Sequence, residues 1–212
     1  MTRDAPLFEP PPPQGRADRG AVAGVLAAHG ASRFVGWDLG EADLSGLDLA
    51  GCAFVRCRAG LARFANADLT EARFEGCDLN NTLWRGARLA AAHLADCKLT
   101  GAQFQEVSAL GLTFARCLLV NAHLRGVSFR KAELQALNLQ GADLARCDFR
   151  EAVLIDSNLR DAHLAEARFE GADLRGADLG ALQLSDASRF RGAFISKAQA
   201  AQLLIGLGLK VV

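Results

Sequence analysis

The sequence predicts an all-β solenoid, a quadrilateral parallel β-helix of about eight coils with short helical caps at one or both ends. Three observations predict it. From Phe34 to Leu184 every fifth residue is bulky: of 31 such positions nineteen are Leu, nine are Phe and one is Trp84, and only Ala59 and Ala109 depart from the rule. Two places before each bulky residue the chain is selective again. Ala holds 15 of those 31 sites, and all six cysteines (Cys52, Cys57, Cys77, Cys97, Cys117 and Cys147) sit there. Two places after it, Gly or Asn holds 14 of 31 sites, and Val, Ile and Thr never occur.

A period of five is neither the 3.6 of a helix nor the 2 of a strand. It is resolved by splitting each repeat. Two apolar positions spaced by two form the inward side of a very short strand, and the residue between them points outward. The remaining two residues turn the chain, and a preference for Gly and Asn at the second of them is what a positive φ selects. Four corners close a square, so one coil takes 20 residues. Coils then stack at about 4.8 Å, and 31 repeats give roughly 37 Å of solenoid. Ala59 lies between Phe54 and Phe64, and Ala109 between Phe104 and Phe114. A narrow core conserves volume, so two rings on opposite sides call for a small residue between them. The expected core runs through Phe54, Phe64, Trp84, Phe104 and Phe129.

The elements follow in order. Residues 1–17, with Pro10 to Pro13, read as a disordered Pro-rich tail. Residues 18–31 read as a helical cap over the first coil, since a stacked β-solenoid has open edges that need covers. Residues 32–187 are the repeat solenoid, and the register fails at Arg189. Residues 188–212 hold a C-terminal helix and a capping or dimerisation segment. Ser196 with Gln199 fits a capping box that starts the helix, and Gly206 can stop it.

The repeated phrase GADLRGADLG at 171–180 has the pattern A(D/N)LXX. It resembles the pentapeptide repeat family, over about residues 32 to 187. The resemblance implies a right-handed quadrilateral β-helix. The C-terminal end resembles members of the quinolone-resistance group, in several of which this end pairs two subunits. On that likeness the candidate dimer interface is Ile195, Leu203, Leu204, Ile205, Leu207, Leu209 and Val211. The alternative is a monomer whose tail folds back over the last coil.

Chemistry is sparse in the pattern. Cys57, Cys77, Cys97 and Cys117 are 20 apart and form a line along one wall. As a metal or redox strip they have the wrong shape, because four sulfurs in a line make no tetrahedron. As buried thiols they serve as small apolar groups. His93, His123 and His163 point outward, and His123 and His163 are two coils apart, about 10 Å, too far to share one metal. No acidic pair, Gly-rich phosphate loop or Ser–His–Asp set stands out, and flat walls offer no cleft. No catalysis, cofactor or metal is expected.

Charge narrows the partners. Lys plus Arg and Asp plus Glu are 24 each, so a basic nucleic-acid binder is not expected. No apolar run reaches the length of a membrane span, and no signal-type segment opens the chain, so the expected location is cytoplasmic. From Ser32 to Ile155 there are 14 acidic and 14 basic residues. From Asp156 to Asp186 there are seven acidic (Asp156, Asp161, Glu166, Glu170, Asp173, Asp178 and Asp186) and three basic. Relatives of the quinolone-resistance type are thought to imitate duplex DNA toward DNA gyrase and topoisomerase IV. A largely neutral rod imitates a polyanion poorly, but end-to-end pairing would fuse two such acidic patches. Two readings remain: a non-catalytic scaffold for a protein partner, and a gyrase- or topoisomerase-binding DNA mimic.

Overall fold

A computed structural model describes residues 6–180, 188–206 and 208–210. Its frame is a column of stacked layers, each advancing 20 residues. On the first wall seven strands, β1 (Arg33–Val35), β2 (Ala53–Val55), β3 (Arg73–Glu75), β4 (His93–Ala95), β5 (Thr113–Ala115), β6 (Glu133–Gln135) and β7 (Val153–Ile155), pair in parallel and in sequence order. Phe34 lies over Phe54 and Phe54 over Phe74, so the register is a 20-residue step. Asp173 continues the wall beyond Val153. The other three walls are lines of single bridges at the same step, such as Asp38–Arg58–Asp78, Arg63–Leu83–Gln103 and Asp48–Asp68–Arg88.

The corners show why the chain turns every five residues. All 29 corner residues spaced by five from Gly36 to Gly176 have positive φ, and 18 of them are not glycine. The left-handed conformation costs an L-residue roughly 1–2 kcal/mol. Here it is held because the corner N–H reaches the next layer, as in Glu71 N–H to Ala90 O at 2.8 Å and Asn121 N–H to Gln140 O at 2.9 Å. Asp and Asn at the outward strand position brace the same corners. The Asp78 carboxylate accepts the Asn80 N–H at 3.2 Å and Asp148 accepts that of Arg150 at 3.1 Å.

The core is the predicted one. Phe54, Phe64, Trp84 and Phe104 are fully buried, Phe129 nearly so, and Ala59 lies buried between its two aromatic neighbours. Rings stack along the walls: Phe64 on Trp84 at 4.4 Å, and Phe149 on Phe169 at 4.8 Å. They meet edge to face across the column, as in Phe104 and Phe114 at 5.8 Å. Buried hydroxyls have partners. Thr82 donates to Leu79 O at 2.7 Å and accepts the Trp84 indole N–H at 2.8 Å.

Both ends depart from the sequence expectation in detail. The segment expected to be a disordered tail over 1–17 is, from residue 6 onward, laid along the first layer. Phe8 bridges Ser32, Arg16 bridges Asp38, the Trp37 indole donates to Pro10 O at 3.4 Å, and Phe8 stacks on His29. Proline-rich chain is tolerated there because it is the outermost strand, where missing donors face no further layer. Helix α1 (Arg19–His29) then covers the column, capped by Asp18 and burying Val22. At the other end the repeat does not stop at Arg189. It resumes one residue late: the Phe169 N–H bonds Arg189 O, Phe190 stacks on Phe169 at 4.7 Å, and Asp173 bridges Phe194. Helix α2 (Lys197–Gly206) follows. Ser196 and Gln199 form the expected capping box, with reciprocal bonds of 2.7 and 3.2 Å. No helix among the described residues is long and apolar enough to cross a membrane.

Candidate functional site

The acidic residues of the last layers do not gather on one face. Asp156, Asp161 and Glu166 occupy three successive corners, Glu170 sits just before the fourth, Gly171, and Asp173 and Asp178 hold the outward strand positions of two different walls. Most are already engaged. Asp178 pairs with Arg160 at 2.7 Å, Asp173 with Arg175 at 2.6 Å, Glu166 with Arg146 at 3.1 Å and Glu170 with Arg168 at 3.4 Å. Asp173 and Asp178 also accept the backbone N–H of Arg175 and Gly180, so they are corner braces as well as charges. The Arg175 guanidinium beside Asp173 holds its carboxyl below the usual range. Asp156 and Asp161 have no ion pair among the described residues, and Asp186 lies outside them.

This pairing is general along the rod. Arg88 meets Asp68 at 2.6 Å and Arg116 meets Asp96 at 2.7 Å, each reaching to the neighbouring layer. The bond from Arg88 brings Asp68 down to about 2. Sequence counting could show that the charges balance, but not that they pair. Pairing between layers follows from the 20-residue step, which sets position i beside i+20, while Arg150 with Asp148, Arg168 with Glu170 and Arg175 with Asp173 pair two residues apart within one layer.

The cysteine line is present as expected, and its sulfurs face backbone carbonyls: Cys57 to Phe34 O at 3.3 Å, Cys77 to Phe54 O at 3.3 Å and Cys117 to Leu94 O at 3.4 Å. All six cysteines are buried and unbridged. Burial pushes the Cys147 thiol up to about 12. The sulfur neighbours and burial push Cys57 and Cys97 up as well. The same sulfur contacts pull Cys77 and Cys117 the other way. For the row as a whole, burial favours the protonated thiols. Among the described residues no group of three His, Cys, Asp or Glu is placed to hold a metal ion. His93 and His163 are exposed and lean on Thr113 (2.7 Å) and Asp143 (3.1 Å).

The walls are not uniformly flat, contrary to the sequence reading. A cavity of about 670 Å³ opens beside His93, Leu112, Ser128, Arg130, Lys131 and Glu133. The C-terminal end is the other irregular surface. Ile195, Leu204, Ile205 and Leu209 are exposed and Leu203 is half-buried, whereas Leu207 and Val211 lie outside the described residues. Gln199 anchors this end, because its buried amide donates to Leu174 O and Ala177 O, both at 2.7 Å. That anchor was missed in the sequence, where Gln199 signals only a helix start.

Comparison with known proteins completes the description. Two family models match, "Pentapeptide repeat region" over residues 30–104 and "Pentapeptide repeats" over residues 111–145 and 142–180. Together they span most of the chain. No curated protein matches it in sequence. Among solved structures, a trypsin-treated variant of QnrB1, a plasmid-mediated fluoroquinolone resistance protein, superposes with a TM-score of 0.70 at 25% identity, covering 85% of this chain and 88% of that one. Full-length QnrB1 gives 0.68 at 24% identity, covering 84% and 88%.

Proposed function

The chain belongs to the pentapeptide repeat family, and from that premise we propose that it is a non-catalytic scaffold that binds another protein through the sides and C-terminal end of its rod. The observation that carries this reading is the pairing of opposite charges within and between layers. It leaves a nearly neutral, mixed surface suited to specific protein contacts and poorly suited to nucleic acid. The exposed apolar residues Ile195, Leu204, Ile205 and Leu209 form an end at which two copies can meet.

A second reading is favoured by the likeness to QnrB1 over most of both chains. In it the protein binds DNA gyrase or topoisomerase IV as a DNA mimic, using an acidic centre formed by two copies. The weakness of that reading is geometric. Four of the six described acidic residues of the last layers are neutralised by arginine, and they point in different directions around the rod.

A supercoiling assay with purified gyrase separates the two. The scaffold reading expects supercoiling to be unchanged by the protein, and unchanged again by the variant with Asp156, Asp161, Asp173 and Asp178 all replaced by Asn, which keeps the corner braces. Inhibition or protection by the native protein that weakens with salt, and is lost in the fourfold variant, establishes the mimic instead.

A further inference from the structure

Among the described residues from Asp38 to Asp178, the bridges that join the layers have one gap. The fourth wall runs Asp48–Asp68–Arg88–Ser108 and starts again as Ser128–Asp148–Arg168, with no bridge from Ser108 to Ser128. The second and third walls pass the same level unbroken, as Lys98–Leu118–Asn138 and Gln103–His123–Asp143. Backbone bonds divide in the same way. The 20-residue register would pair Ala109 N–H with Ser128 O, Gly111 N–H with Arg130 O and Glu133 N–H with Leu112 O, and none of these bonds is made. Their equivalents one layer earlier are made: Leu89 N–H to Ser108 O at 2.7 Å, Ala91 N–H to Leu110 O at 2.8 Å and Thr113 N–H to Ala92 O at 3.0 Å. On the first wall β5 and β6 share one register pair, Ala115 with Gln135, at the end of the strands away from the gap. The column therefore carries a slit along one wall, and the cavity of about 670 Å³ beside Ser128, Arg130 and Glu133 is its mouth.

Side chains do not span the slit either. Glu106 and Arg125 stand on its two lips with opposite charges, yet Glu106 pairs with Arg85 in the layer before and Arg125 with Asp143 in the layer after, both at 3.2 Å. Arg130 and Lys131 pair with Glu151, also in the layer after, at 2.8 and 3.5 Å. Burial is weakest at the same place. From Phe34 to Leu179, Val107 and Ala109 are the one pair of inward residues in a single repeat that are both only half-buried. A wall segment that buries little apolar surface is weakly held to the column. Ala59, the other small residue among the bulky positions, is fully buried, so the sequence pattern alone does not mark the place.

We propose that the slit is a hinge at which the rod bends, with residues 32–112 and 126–180 as two stiff arms. The strap between them is the segment 113–125, which passes from one lip to the other around the remaining three walls. The second wall stands opposite the slit and is the line about which the arms turn. Leu118 N–H bonds Cys97 O at 3.0 Å and Leu119 N–H bonds Asn138 O at 2.7 Å, so the strap is tied to both arms. Widening or closing the slit about that line breaks no bond of the fourth wall, whereas bending at another level breaks the bonds of an intact wall. Each arm is stiff because its own ladders are continuous and cross-braced by ion pairs such as Arg88 with Asp68 and Arg146 with Glu166. Hinges of this kind place the whole change in a few residues between rigid bodies, and cooperative units open first at their weakest boundary. The hinge goes beyond the scaffold reading, because it fixes the level at which the rod adjusts its curvature whatever surface it meets.

Pulsed dipolar spectroscopy on the full chain tests this. Spin labels are carried on bio-orthogonal side chains, which leaves the six buried cysteines as they are. Positions 48 and 168 on the fourth wall and positions 38 and 158 on the second are each six layers apart, about 29 Å at the spacing of stacked strands. The fourth-wall pair is expected to show a distance distribution about twice as broad as the second-wall pair. Amide exchange gives the second readout. Phe104 N–H and Arg116 N–H are bonded at the two ends of the slit, both at 2.8 Å, and Leu119 N–H is bonded on the opposite wall at 2.7 Å. The first two are expected to exchange about tenfold faster than the third, because opening of the slit strains them first. Equal widths in the two label pairs overturn the proposal, as does equal broadening in both, which places the bending elsewhere. Equal exchange at the three amides overturns it even where the widths differ, because the motion then lies outside the slit.

Discussion

At the scale of the residue, the corner decides most of what the sequence tolerates. Gly101 and Gly126 both have positive φ, 69° and 75°. A Cβ on Gly126 meets no atom within 4 Å, but on Gly101 it falls 2.3 Å from the Asn81 side-chain oxygen one layer away. Gly126→Ala is therefore expected to lose about 1 kcal/mol, the backbone cost alone. Gly101→Ala loses more, and Asn81→Gly made together with it recovers the difference. Urea melts of the three variants check this, and equal losses at the two glycines would contradict the cross-layer contact. The same contact recurs at Gly86 over Asn66 and at Gly141 over Asn121. The high share of Gly and Asn in this column thus has two causes, the φ each corner needs and the space each layer leaves for the next.

At the scale of the element, α2 is held to the rod chiefly by one side chain. Gln199 closes the capping box and also satisfies two carbonyls of the last layer. Replacing it with Ala removes the side-chain donor from Ala177 O and from Leu174 O, which keeps only the Ala177 N–H at 2.9 Å, and removes the cap. A loss of about 1–3 kcal/mol is expected, with faster amide exchange in residues 197–206 and little change in the layers around Trp84. Uniform loss of protection along the rod would show that α2 is an integral part of the column rather than a cover. Helix α1 is built differently, since its N-cap comes from Asp18 and its hold from Val22 and the partly buried Ala21, Val25 and Leu26. This asymmetry was half legible beforehand. The caps and apolar runs announce both helices, but the docking bonds of Gln199 depend on a one-residue offset in the repeat that a fixed period of five cannot show.

At the scale of the whole molecule, many depressed carboxylates set the response to acid. Arg88 lowers Asp68, Arg150 lowers Asp148, Arg116 lowers Asp96 and Arg130 lowers Glu151. A folded-state value below the unfolded one, about 4 for these groups, adds stability that is complete above that pH and is lost as pH falls toward 2. The melting temperature should accordingly be level near neutrality and fall below about pH 4, more steeply at low salt. A flat profile down to pH 2 would mean the pairs add nothing to folding. The fold itself was legible almost in full, because bulky, small and turning residues recur without a slip from Phe34 to Leu179 and each layer repeats the same packing problem. The surfaces were not. Pairing of Arg160 with Asp178 depends on which corner faces which strand, and no residue pattern announces the cavity beside Ser128 and Glu133. The ends carry one more consequence. The segment from residue 6 to α1 already occupies the edge of the first layer, while the opposite end leaves apolar side chains in water. If copies meet through the C-terminal end alone, such a rod cannot add subunits indefinitely. Association through its free end stops at a pair, so concentrating the protein should not yield filaments, although stacked parallel strands are the architecture from which filaments are usually made.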